Sequence, residues 1–152
     1  MTTEIINATQ TVELTAANIT SAAKGAMVTS LVAAEGDRAA SAKIYNAMNN
    51  PTGKVSEHIN ETLEIRDYLI EQCEIEEVDS YGIGTGKWSV VPRTVLITAE
   101  GEAYQATSFG IANAVRNLVA ACGNAPWEPS LQLKVKQVPT KAGSMLTLEM
   151  LG

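Results

Sequence analysis

From Thr62 onward, apolar and polar residues alternate along much of the chain with the two-residue period of strands. The stretch 62-TLEIRDYLIEQCEIEEV-78 is too long and too alternating for anything but one extended strand. Its pattern stumbles in the middle. Leu63 and Ile65 share a parity, Leu69, Cys73 and Ile75 return to it, and a charged Asp67 stands between them. A bulge or sharp bend at Arg66 and Asp67 reconciles the two halves. A second strand is expected over 89-SVVPRTVLIT-98, and the turn 99-AEG-101 leads to a third over 102-EAYQAT-107, forming a hairpin. After 124-NAPWEP-129 a fourth strand, 131-LQLKVKQV-138, is joined by the turn 139-PTKAGS-144 to a last one, 145-MLTLEML-151.

Between the third and fourth strands the period lengthens. Ile111, Val115, Leu118 and Cys122 recur every three to four residues, with Ser108 placed as N-cap and Gly123 as C-cap of a helix. Three strands, a helix and two strands make the element order of the OB-fold. The expected class is therefore mainly β with α: an OB-fold-like five-stranded Greek-key barrel over residues 56–152, its helix between strands three and four. Residues 1–55, rich in Ala, Thr and Asn, read as an N-terminal α/β extension. It would hold a short strand at 9–14, a weak helix at 16–26, a strand at 27–33 and a helix at 37–49. Asp37 caps that last helix, and Ile44 and Met48 share one of its faces.

Composition narrows the function. Of 152 residues, 45% are hydrophobic and 18% charged, the balance of a globular protein. No apolar run is long enough for a membrane span, and the N-terminus has no basic segment leading into an apolar one, so neither membrane nor secretion is expected. Cys73 and Cys122, with no CxxC spacing, read as free thiols of a reducing, cytoplasmic compartment. The net charge of −6 argues against nucleic-acid binding by electrostatics alone. Its distribution changes the picture: residues 1–82 carry five basic and thirteen acidic residues, residues 83–152 six basic and four acidic. An anionic partner would meet the second half, while the acidic run 74-EIEEVD-79 reads as a solvated strand end.

The glycine-rich stretch 80-SYGIGTGKWSVVPR-93 is the main chemical signal. It is no phosphate loop of the Walker type: Tyr81 stands where the first glycine should be, Trp88 follows the lysine, and a strand rather than a helix comes next. Glycines at 82, 84 and 86 also miss the dinucleotide-binding spacing. In an OB-fold, the loops between strands one and two and between strands four and five are binding loops. Here they are 79–87 and 139–144. Aromatic faces stack on bases whatever their identity, and lysines and arginines follow the phosphates. The nucleic-acid-binding residues expected on this ground are Tyr81, Lys87, Trp88, Arg93, Lys134, Lys136 and Lys141. The plainer alternative is a pair of exposed hairpin tips. Trp127, between Pro126 and Pro129, reads as a packing plug below the helix. His58 is the only histidine, and one histidine with two distant cysteines builds no usual zinc site; neither an enzyme nor a metal or cofactor is expected.

The stretches 43-KIYNAMNNPTGKVSEHINETLEIRDYLIEQ-72 and 92-PRTVLITAEGEAYQATSFGIANAVRNLVAACGNAPWEPSLQLKVKQVPTKAGSMLTLEML-151 resemble single-stranded-DNA-binding proteins of tailed bacteriophages infecting Gram-positive bacteria. The resemblance rests most on "YNAMN", "SEHINET", "GEAYQATSFGI" and the closing "LKVKQV…KAGSMLTLEML" hairpin. It implies an OB-fold that coats single strands during phage DNA replication in the host cytoplasm, with single-stranded DNA as partner. Contacts between neighbouring copies are a further expectation, since a net negative protein gains from cooperative binding. A non-enzymatic assembly module of a phage complex is the competing reading.

Overall fold

The computed structural model describes residues 28–31, 33–141 and 143–152. The expected strand at 9–14 and helix at 16–26 lie outside the described residues. The elements are β1 (Val28–Thr29), α1 (Arg38–Asn49), β2 (Gly53–Lys54), a 3-10 turn (Val55–His58), β3 (Thr62–Val78), β4 (Gly84–Thr98), β5 (Ala103–Ala106), α2 (Phe109–Cys122), β6 (Leu131–Thr140) and β7 (Gly143–Met150). Both helices start where side chains satisfy their free N–H groups. Asp37 Oδ1 accepts from Ala40 N at 3.0 Å, and Ser108 Oγ from Gly110 N at 3.1 Å. Gly123 ends α2 with φ +83°, a conformation that suits glycine.

The strands join in the order β2-β5-β4-β3-β6-β7, with β1 added to β3. All ladders are antiparallel except β2 with β5. The result is a curled, half-barrel sheet. Among the described residues its edge strands, β2 and β7, do not pair with each other, which leaves an open seam. No helix of the described residues is long and apolar enough to cross a membrane.

Both faces of the sheet are covered at its centre. Inside the curl, Ile65, Tyr68, Ile70, Leu96, Leu133 and Val135 pack with Ile111 and Val115 of α2. Each such fully buried aliphatic side chain contributes about 1.5–3 kcal/mol. Trp127 is only 5% exposed, stacks tilted on Tyr68 at 5.8 Å, and donates from Nε1 to the Gly123 carbonyl at 2.9 Å. It is the plug below the helix that its flanking prolines suggested. The start of α2 lies so close to β7 that a Cβ at Gly110 would run into the Leu146 carbonyl oxygen. On the outer face, Ile44, Ala47 and Met48 of α1 cover Leu69, Val95, Ile97 and Ala103.

The expected irregularity in β3 is present, with a consequence the alternation does not reveal. Ile65 pairs with Thr98 and Asp67 with Ile97, so Arg66 is the extra residue. One extra residue inverts the parity. Leu63 and Ile65 face inward before it, and Tyr68 and Ile70 after it. Leu69 therefore packs outward, under α1, rather than sharing a face with Leu63. Ser30, the residue after β1, fastens the bulge: its Oγ donates to Asp67 Oδ1 at 2.9 Å and accepts from Tyr68 N at 3.0 Å. Burial pushes the Asp67 carboxyl above its ordinary range, against the lowering effects of the Ser30 hydroxyl and Arg66. The Tyr68 hydroxyl donates to Asn124 Oδ1 at 2.7 Å, and burial pushes its pKa up to about 12.

The two expected loops are shorter than the sequence suggested. Strand pairing resumes at Gly84, so the first loop is only residues 79–83 and Trp88 lies within β4. β6 and β7 pair out to Thr140 and Gly143, so 139–144 is a tight hairpin end with Lys141 at its tip. The strand expected over 27–33 is short, Val28–Thr29 within the described residues.

Candidate nucleic-acid interface

Beyond Glu71 and Arg93 the β3–β4 hairpin leaves the body of the protein and continues as a two-stranded arm. Directly opposite residues share a face. Trp88 stands across from Glu76 and Val90 from Glu74 on one side; Ser89 stands across from Ile75 and Val91 from Cys73 on the other. Trp88 is 61% exposed and Tyr81, in the loop, 86% exposed; Ile75, Val78, Ile83 and Val90 are exposed as well. Burial in the fold does not account for these rings, which makes the arm a candidate contact surface.

The acidic run that reads as a solvated strand end instead fixes the shape of the tip. Asp79 Oδ1 accepts from Tyr81 N at 2.8 Å and Ile83 N at 3.0 Å. A Glu76 oxygen accepts from Gly86 N at 2.9 Å. Thr85 Oγ1 donates to the Glu77 carbonyl at 3.0 Å, and Ser89 Oγ to the Glu77 carboxylate at 2.7 Å. Gly82 and Gly86 adopt φ of +79° and +80°, where other residues are strained. The two glycines thus serve a defined backbone geometry, Gly82 in the turn and Gly86 at the start of β4.

The seven expected binding residues fall into separate groups. Tyr81, Lys87 and Trp88 are together on the arm. Lys87 is exposed and, like Lys134 and Lys141, has no carboxylate within 4.0 Å among the described residues. Lys134 and Lys136 lie on the outer face of β6, where Lys134 is opposite Thr62 of β3 and Glu149 of β7. Lys136 is 3.7 Å from Glu149, and Lys141 caps the β6–β7 hairpin. Because β6 runs antiparallel to β3, this second hairpin points the opposite way along the sheet from the arm. Arg93 belongs to neither group. Its side chain is 12% exposed, its Nε donates to Gln105 Oε1 at 2.9 Å, and a terminal nitrogen lies 3.5 Å from Glu71 Oε2. It faces outward, on the α1 side, opposite to Trp88.

Other reactive side chains have structural surroundings. His58 Nδ1 lies 3.0 Å from Glu61, and its ring meets Tyr104 edge-on at 4.7 Å. Cys73 and Cys122 are free thiols, and burial pushes the Cys73 thiol up. Among the described residues no group of three or more His, Cys, Asp or Glu is arranged to hold a metal ion.

One further surface was not singled out by the sequence. The open seam forms a cavity of about 440 Å³ lined by Lys54, Ser56, Gln105, Ala106, Thr107, Ser108 and Leu146. A lysine in a two-residue strand and a glutamine in a four-residue one carry no periodicity, so only the pairing of β2 with β5 brings them together.

Comparison with curated proteins and with solved structures gave no match in either case. Residues 28–151 match the family model described as phage single-stranded DNA-binding protein, of the Phi29 type. That match spans most of the chain, including α1, the sheet, the arm and both hairpin tips. The chain belongs to the phage single-stranded DNA-binding protein family, a non-enzymatic family of DNA-binding proteins.

Proposed function

We propose that this protein coats and protects single-stranded DNA during phage replication, with little regard to base sequence, in the cytoplasm of an infected Gram-positive host. The observation that carries this reading is the pair of exposed rings, Tyr81 and Trp88, on an arm whose backbone is pinned by its own carboxylates. Stacking on aromatic rings is indifferent to base identity and contributes about 1–3 kcal/mol per base. The arm cannot attract phosphates strongly, since it carries Glu74, Glu76, Glu77 and Asp79 against the single Lys87. The two hairpins accordingly divide the work: the arm stacks on bases, and Lys134, Lys136 and Lys141 neutralise phosphates. Arg93 supports the sheet beneath through Glu71 and Gln105. Neighbouring copies along the strand add contacts that offset the protein's net charge.

In this reading β3 to β7 form an OB-type Greek-key barrel left open between β5 and β7, with α2 between its third and fourth strands. Residues 56–152 are the DNA-binding domain. Residues 1–55 are an extension whose described part adds β1 and β2 to the sheet and lays α1 on its outer face.

The test is tryptophan fluorescence during titration with oligo(dT) of about 30 nucleotides at low salt, where phosphate contacts are strongest. Stacking should quench exposed Trp88 and leave buried Trp127 unaffected, so the quench should vanish in Trp88→Ala and weaken with added salt. A folded protein that binds no oligonucleotide would refute the proposal.

A further inference from the structure

We propose that the open seam between the β2–β5 edge and β7 is a nucleotide subsite, which takes one base and one phosphate of a bound single strand. It rests on the DNA-coating reading and extends it to residues outside the arm and the β6–β7 hairpin. The cavity measures about 440 Å³, in the range of small-ligand sites, and its lining sorts by chemistry. Ala106, the first residue of β5 beyond its pairing with β2, and Leu146 of β7 supply an apolar floor. Lys54, Ser56, Gln105, Thr107 and Ser108 supply a polar rim.

Lys54 is exposed and has no carboxylate within 4.0 Å among the described residues. Its position is fixed, because β2 pairs with β5 so that Lys54 stands beside Gln105, and its backbone N–H donates to Glu57 at 2.9 Å. Gln105 is held in turn on the outer side of the β5 edge: its side-chain oxygen accepts from Arg93, which leaves its amide N–H groups to donate to a sugar or base edge that reaches around that edge. Phe109, the first residue of α2 and next in sequence to the rim residue Ser108, is 55% exposed, a further aromatic ring open to solvent. A cation for phosphate, amide and hydroxyl groups for polar edges, and an apolar floor make a combination that fits a nucleotide. A neutral apolar ligand would leave that rim unpaired.

Lys54→Met, a substitution at an exposed position, removes the phosphate contact and should leave the fold intact, as circular dichroism would verify. With the full chain and oligo(dT), loss of one single-strand phosphate contact should lower the slope of log K against log salt by about 0.7. Affinity at about 0.1 M salt should fall about fivefold. The Trp88 quench at saturation should be unchanged. Photocrosslinking of bromodeoxyuridine-containing oligonucleotide should mark residues 104–109 in the wild type. Unaltered affinity and salt slope in Lys54→Met, with no crosslink to 104–109 while Trp88 is still quenched, would overturn the subsite and leave DNA coating standing. A wild type that binds no oligonucleotide would overturn both.

Discussion

The β3–β4 hairpin is two structures in one pair of strands. Near the bulge, Ile65, Tyr68, Leu69, Ile70, Val95 and Leu96 are fully buried, one face against α2 and the other against α1. A few residues further along the same ladder, Ile75, Val78, Trp88 and Val90 stand in water. Backbone hydrogen bonds continue throughout; what changes is whether a third layer covers the sheet. The base spends its apolar residues on folding. The arm leaves them uncovered, and replaces the missing layer with local pins from Glu76, Glu77 and Asp79.

This contrast is most strongly tested by truncation at both ends. Ile65→Ala should destabilise the protein by about 2–5 kcal/mol, whereas Val90→Ala should change stability by less than about 0.5 kcal/mol, both read by urea unfolding. Comparable losses at the two sites would mean that the arm is part of the cooperative core. Next in size, Trp88→Ala should weaken oligonucleotide binding by about 1–3 kcal/mol while leaving the unfolding midpoint nearly unchanged, so that binding and folding separate along one strand.

Arg93 sits at the border between the two halves and sharpens where it runs. Arg93→Met leaves the half-buried Glu71 carboxylate without its cation and should cost about 1–3 kcal/mol of stability. Adding Glu71→Gln should recover part of that loss in a double-mutant cycle. A variant with normal stability and weakened DNA binding would instead place Arg93 in the interface. The smallest effect is expected at Asp67, where burial raises the carboxyl above 3.8. The folded chain then binds that proton more tightly than the unfolded one, so this contribution to stability is fully present below pH 3.8 and is lost as pH rises through the raised value. Asp67→Asn can still accept from Ser30 and should flatten that decline, as seen by urea unfolding repeated at stepped pH.

Much of the fold was legible. The strand order along the chain, the caps Asp37, Ser108 and Gly123, and the irregularity at Arg66 all follow from local periodicity and local hydrogen-bonding chemistry. The faces were harder. Alternation counts parity but cannot see that one bulged residue exchanges inside for outside, so Leu69 was grouped with Leu63 when it packs beneath α1. The candidate interface was legible in kind. Tyr81, Trp88 and the lysines of β6 stand out as aromatic and basic residues near turns. Their grouping was not, because Lys134 meets Thr62 at one end of β3 while Trp88 meets Glu76 near the other.

By itself, then, the sequence determined what short-range physics controls: period, turns, caps, the oddly placed rings and the separation of charge between the halves of the chain. Tertiary structure alone decided which apolar residues are covered, which carboxylates hold a loop, and that Arg93 is tied to Glu71 and Gln105. It also left the seam beside Lys54 open. These depend on residues far apart in the chain meeting across the sheet, and burial and pairing are properties of that meeting rather than of any local stretch.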